Sequence, residues 1–281
     1  LAARQDIVAA GAAPKAVQAL AETIERTGNP FGVTAHAGAV ASPAGNADVL
    51  YLVDPYTQHR QPEVATAFLA ALGALGLTAR VVEAVDTGKA LYVLGYRERA
   101  AAAAKRLQRL VAESGCKTVV TSCPASFDAM KNDCPRLGAG FAADVTVVPS
   151  AAFLLEALGG RKAKAAKRSK AAVYYLDSDF LCNYNGVVDE PRVLLRALGV
   201  EPLPFGTNPE ESYACGEGAV VYDVLHPEVA ALLRERITTL CADPAHDLLV
   251  VASPYTKHIL TAGDRPLKVK TLDEVVAERL V

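Results

Sequence analysis

Six cysteines stand at positions 116, 123, 134, 182, 215 and 241 of a 281-residue chain, and no two form a Cys-x-x-Cys pair. That spacing argues against a zinc ribbon or an ordinary ferredoxin domain, both of which use closely spaced thiolates. So few cysteines in so long a chain do not make a disulfide framework either. Cys123, in Thr121-Ser122-Cys123-Pro124, lies between a strand end and a helix start. A helix N-terminus lowers a thiol pKa, so Cys123 is a candidate reactive or catalytic thiolate. Cys215, in Ala214-Cys215-Gly216-Glu217-Gly218, lies beside open backbone amides and is the second candidate. Cys116, Cys134 and Cys241 fall in or beside helices and read as packing residues.

Oxygen and nitrogen groups offer less. Asp177 and Asp179 lie near Asn183 and Asn185 at a strand end. Such a set forms turns readily and would also accept a hard cation. His59, His226 and His258 could act as acid, base or ligand, but no His-x-x-x-His or His-Glu pair frames them, and surface positions are expected. Gly216-Glu217-Gly218 lacks the spacing of a phosphate cradle.

The elements that must position these residues alternate in type. Strands are expected over 48–53, 78–82, 117–121, 145–148, 172–176 and 247–252, with a short extended stretch at 201–205. Helices are expected over 1–28, 62–73, 97–114, 151–158, 191–199 and 227–240, and after Pro124 and Pro254. The order restarts part-way. Thr118-Val119-Val120-Thr121-Ser122-Cys123-Pro124 is repeated in type by Leu248-Leu249-Val250-Val251-Ala252-Ser253-Pro254. Alternation of this kind implies an α/β fold of two pseudo-symmetric repeats, each a small parallel sheet flanked by helices. The expected organisation is a helical linker at 1–47, repeats at 48–160 and 171–281, and a basic linker at 161–170. Sites in such sheets form at the carboxyl ends of the strands.

Composition narrows the partners. With 29 basic and 31 acidic residues the net charge is −2, which does not suit a nucleic-acid partner. The run Arg161 to Lys170 is local and reads as a solvated linker. No signal peptide and no bilayer-spanning apolar stretch is visible, and a cytoplasmic location, peripheral to any membrane complex, is expected.

Thr121-Ser122-Cys123-Pro124, Ala214-Cys215-Gly216 and Asn185-Gly186-Val187-Val188-Asp189-Glu190-Pro191-Arg192 together resemble the cysteine-rich CCG-domain family. Its members include subunits of heterodisulfide reductases, glycolate oxidase and lactate-utilisation complexes. Gly28-Asn29-Pro30-Phe31-Gly32 resembles the linker that follows their ferredoxin modules. The family pattern offers a cysteine after each first strand, a Cys-Cys-Gly, and a closing Cys-Pro-x-Cys that hold iron–sulfur clusters. This chain departs from it. Asp54 stands at the first cysteine position, Asp86-Thr87-Gly88 replaces Cys-Cys-Gly, and Ser126 replaces the partner of Cys123. In the second repeat Asp179 takes the first position, Cys182 is displaced, and Ser253 and Thr256 replace the closing pair.

The resemblance therefore implies an oxidoreductase component for electron transport whose own clusters are mostly lost. Cys123, Cys215 and Cys182 are the remaining metal-ligand candidates, too few for a typical cluster. No cofactor is expected within the chain. An iron–sulfur cluster would belong to an N-terminal ferredoxin module upstream of Leu1 or to other redox subunits, and the role here would be positioning and docking. The alternative is a small-molecule-binding protein or enzyme using the cleft between repeats, lined by Asp54, Asp86, Thr87, Ser126, Asp179, Ser253 and Thr256.

Overall fold

A computed structural model describes residues 1–34, 47–83, 86–160, 171–206, 216–218, 220–262 and 267–281. The chain has an α/β fold with two parallel sheets flanked by helices. In the first sheet β1 (Val49–Leu52), β2 (Ala79–Val82), β3 (Thr118–Thr121) and β4 (Thr146–Pro149) lie in the order β2-β1-β3-β4. All four residues of β1 are buried, as an uninterrupted apolar run requires of a strand covered on both faces. In the second sheet β5 (Val173–Leu176), β6 (Leu248–Val251) and β7 (Lys268–Thr271) lie in the order β5-β6-β7. A single parallel bridge from Tyr174 to Leu203 stands beside β5, where β2 stands beside β1. The expected extended stretch at 201–205 is thus reduced to one bridge. Pro202 and Pro204 flank Leu203 and remove the amide donors that a longer ladder needs.

The expected helix over 1–28 is broken into α1 (Ala2–Ala9) and α2 (Lys15–Thr27), because Gly11 takes φ +68° and Pro14 follows. The first half continues with α3 (Pro55–His59), α4 (Pro62–Leu75), α5 (Lys89–Leu94), α6 (Arg97–Ser114), α7 (Pro124–Asp128), α8 (Cys134–Arg136) and α9 (Ser150–Leu158). The second half has α10 (Asp179–Asn185), α11 (Asp189–Ala197), α12 (Pro227–Leu240), α13 (Pro254–Thr261) and α14 (Leu272–Leu280). Proline occupies the first turn of α3, α4, α7, α12 and α13, where its missing N–H costs nothing. Ala129–Asp133 and Val221–Leu225 are π-helical turns.

Both sheets face one shared core. Val49, Tyr51, Phe68 and Val120 of the first half pack with Tyr175, Leu194, Val250 and Leu272 of the second. α14 lies along α4, and α11 along α9. Lys257 ties the seam, its Nζ 2.7 Å from Glu63 Oε1 and 2.8 Å from Glu274 Oε1. Asp273 is fully buried there, facing Ser150 and Ser122 of the first half. Burial pushes its carboxyl up to about 7.

Candidate functional site

The carboxyl ends of β1 and β3 and the loop before α5 meet around a cavity of about 60 Å³. Five of the expected residues line it: Asp54, Asp86, Thr87, Cys123 and Ser126. Glu217, Tyr56 and Tyr255 complete the wall, so the second half contributes as well.

Asp54 is placed by its role as a helix cap. Its Oδ1 accepts from the amides of Tyr56 at 2.9 Å and Thr57 at 3.3 Å, and its Oδ2 accepts from the Thr57 hydroxyl. Burial nonetheless raises its pKa against those bonds. Asp86 is placed by a tight turn. Its Oδ1 accepts from the Gly88 amide at 2.8 Å, while its Oδ2 is buried with no hydrogen-bond partner. Burial pushes this carboxyl up to about 6, with the Gly88 amide and Arg106 pulling the other way. Gly88 itself takes φ +81°, and an added Cβ would come within 2.7 Å of the Ala100 carbonyl oxygen. Only glycine fits that turn.

Cys123 is buried at 7 % exposure, beside Asp54, Glu217 and Ser126. The expectation of a lowered thiol pKa is corrected by this setting. Burial first, and then the carboxylates of Asp54 and Glu217, push the thiol well above its ordinary value. α7 is five residues long and offers too short a dipole to offset them. Cys123 is therefore a neutral thiol.

The second half's strand ends are bridged by a side chain. The Glu217 carboxylate accepts from Ser178 Oγ at 2.5 Å and from Ser253 Oγ. Burial of that carboxylate pushes it up to about 7, against the two serine hydrogen bonds. Ser253 caps α13, accepting from the Thr256 amide at 3.2 Å. Ser253 and Thr256 are both buried and stand outside the cavity wall. Asp179 lines a neighbouring cavity of about 520 Å³, where its Oδ1 accepts from Asn183 at 3.3 Å. Cys182 lies toward Tyr175 and Arg192 instead of the first cavity. Cys215 and the basic linker lie outside the described residues.

The described thiols and carboxylates of the cleft do not fit an iron–sulfur cluster. One sulfur, Cys123, stands among hard oxygen donors that suit a sulfide core poorly. No group of three His, Cys, Asp or Glu residues able to hold a metal occurs among the described residues. The Asp177–Asp179 pair also separates. Arg192 holds Asp177 in a two-pronged ion pair at 2.8 and 2.6 Å, a partner that neither turn nor cation chemistry anticipated.

Several residues without a sequence signal stand at the site. Lys89 runs along the cavity wall and places its Nζ 2.5 Å from Asp128 and 2.7 Å from Asp133, 4.6 Å above the Phe180 ring. Asn185 of the second half also donates to Asp128, at 2.9 Å. The two aspartates are five residues apart, a spacing that only a π turn brings to one face, so ordinary helical periodicity hides them. Tyr56 donates to Asp223 at 2.8 Å, and His258 Nε2 lies 3.3 Å from the same carboxylate. His258 is thus a seam residue, contrary to the surface position expected of it. His59 is likewise half-buried, its ring 6.0 Å from Phe31.

The chain is distantly similar in sequence to two proteins whose names are those of redox proteins. The chain is 31% identical over 104 residues to an EtfAB:quinone oxidoreductase of Syntrophomonas wolfei, covering 37% of this chain and 14% of the relative. It is 27% identical over 242 residues to a probable membrane-anchored ferredoxin of Chromohalobacter salexigens, covering 83% of this chain and 36% of that one. The matches thus span well under half the length of either curated relative. No protein-family model matches the chain. Among solved structures it is similar to an aspartate racemase homologue from Pyrococcus horikoshii, at 13% identity and TM-score 0.31, over 83% of this chain and 97% of that one. A glutamate racemase isoform from Bacillus anthracis gives 12% identity and TM-score 0.38, over 83% and 80%. Similarity at those scores says nothing of chemistry. No helix among the described residues is long and apolar enough to cross a membrane.

Proposed function

We propose that this chain is a CCG-like domain of an electron-transfer oxidoreductase, serving to position redox modules instead of carrying a cluster in its first-half cleft. The observation that carries this reading is the similarity over 83% of the chain to a protein named as a membrane-anchored ferredoxin. The donor set of the cleft supports the second part of it, since Asp54, Asp86 and Glu217 surround a single thiol. The redox partners are a ferredoxin-type module or other subunits of the same complex. Anaerobic purification of the chain from its native host tests the reading. The expected preparation brings down iron–sulfur or flavin proteins, while the isolated 281-residue chain is colourless and free of stoichiometric iron. Recovery without any redox chromophore would overturn the assignment to such a complex. Stoichiometric iron and sulfide in the isolated chain would overturn the positioning role.

The cavity favours a second reading, in which the cleft has become a small-molecule site. Convergent polar groups from separate segments, walled by Tyr56 and Tyr255, are the usual make-up of such a site. A ligand retained in the cleft through purification and identified by mass spectrometry would support it.

A further inference from the structure

Three carboxylates stand in an otherwise largely apolar wall around the cavity at the ends of β1 and β3, where Ile24, Pro30, Pro55 and Val220 also line it. Asp54, Asp86 and Glu217 reach it from three separate segments. Lys89 is the one cation among its described lining residues, and its ammonium is committed to Asp128 and Asp133 at 2.5 and 2.7 Å. No other described lining residue is basic, and Arg106 acts on Asp86 only from outside the wall. Asp86 makes the deficit concrete. One of its oxygens is held by the Gly88 amide and the other is shut from solvent with no donor. An orphaned buried acceptor of this kind costs about 1–3 kcal/mol until a donor reaches it.

The wall also selects what the donor is attached to. Tyr56 and Tyr255 stand side by side, ring centroids 4.8 Å apart, and both line the cavity. Aromatic faces accept alkyl groups and attract cations. A bare metal ion suits the place less well, because no three of its ligand-type residues converge closely enough among the described residues. A carboxylate or phosphate ligand would meet like charge. The volume of about 60 Å³ admits only a few heavy atoms.

We propose that this cavity binds a small organic ammonium, with its N–H groups on the Asp86 carboxylate and its alkyl part against Tyr56 and Tyr255. The proposal rests on the small-molecule reading of the cleft and names the ligand class. Titration calorimetry on the whole chain at constant ionic strength tests it, with ethylammonium as the probe. Tetramethylammonium, magnesium, acetate and ethylene glycol are the comparison solutes. Saturable binding of ethylammonium is expected, without saturation by tetramethylammonium, which has no N–H to give. Asp86→Asn should weaken ethylammonium binding about tenfold or more, the loss of one charge-assisted bond to a buried acceptor. Saturation by acetate, glycol or magnesium alone would overturn the ammonium proposal and leave the small-molecule reading standing. Saturation by none of the probes would overturn the ammonium proposal, while the small-molecule reading is decided by the mass-spectrometric search for a retained ligand. Unchanged binding in Asp86→Asn would overturn the proposed placement. Should that variant not fold, nuclear Overhauser contacts from the ethyl protons in the wild-type chain decide the matter. Contacts to the Tyr56 and Tyr255 rings support the proposal, and contacts to other rings overturn it.

Discussion

At the carboxyl end of β6, Ser253 joins Ser178 in donating to the Glu217 carboxylate, which bridges two strand ends of the second half and walls both neighbouring cavities. At the corresponding end of β3, Cys123 and Ser126 line a cavity whose wall includes Asp86, one oxygen of which is buried without a hydrogen-bond partner. The two places share a strand–loop–helix plan, Cys123-Pro124 in one and Ser253-Pro254 in the other. What separates them is one residue. Glu217 lies on a loop 36 residues before Ser253 and is long enough to span two serines. Asp86, one methylene shorter and turned back onto the Gly88 amide, does not fill its own half. A carboxylate at a strand end can therefore bridge neighbouring hydroxyls or stand without a partner, depending on reach.

The largest test of that contrast concerns the cations behind each cleft. Lys89→Met leaves Asp128 and Asp133 buried without their shared ammonium and should destabilise the chain by about 3–5 kcal/mol. Urea unfolding measures it, and a loss near zero would mean the aspartates do not depend on Lys89. Titration provides the next effect. Asp86, Glu217 and Asp273 sit at about 6, 7 and 7, above unfolded values of 3.8, 4.5 and 3.8. The folded chain thus holds these protons more tightly than the unfolded chain does. Their stabilisation is fully present below pH 4 and is lost as pH rises through about 6 to 7, on the order of 3–4 kcal/mol per group. Unfolding curves between pH 5 and 8 should show stability falling. Glu217→Gln removes the second-half share of that slope, and Asp86→Asn removes the first-half share.

Smaller effects sharpen the comparison. Ser178→Ala with Ser253→Ala strips both donors from Glu217 and should cost about 2–3 kcal/mol, while Ser126→Ala in the first half should cost less than about 1 kcal/mol. Equal losses in the two halves would remove the distinction between a bridged and an unbridged strand end. Gly88→Ala should cost about 2 kcal/mol, because its Cβ meets the Ala100 carbonyl at a positive φ. Gly186→Ala, at φ +67° with nothing within 4 Å, should cost about 1 kcal/mol from the backbone alone. Thermal melts of the two variants separate the steric share from the conformational one.

The sequence made the repeat and the strand ends legible, since β1, β3, β5 and β6 are apolar runs closed by Asp-Pro, Cys-Pro, Asp-Ser or Ser-Pro. It hid β7, where Lys268 and Lys270 alternate with Val269 and Thr271 in an edge strand that faces water on one side. α14 went with it. Asp54, Asp86, Thr87, Cys123 and Ser126 stood out through the resemblance to the CCG pattern, and all five line one cavity at strand ends of a parallel sheet. Glu217 was not found as the bridge, because its serine partners lie 39 and 36 residues away and no local pattern links them. The Cys123 thiol was misjudged for a related reason. Its helix position is local and visible, but the carboxylates that oppose ionisation come from elsewhere in the chain.

The pairing of α14 with α4 shapes how this protein must be made. The apolar flank of α4, with Phe68 and Leu72, leaves the ribosome about 200 residues before the Val275 and Val276 that lie in the same core. At ordinary rates of synthesis the side of α4 that meets α14 waits for its partner for roughly 10–40 s. A nascent first half therefore carries an α4 packed on Tyr51 and Phe153 but still lacking the cover that only the last helix supplies.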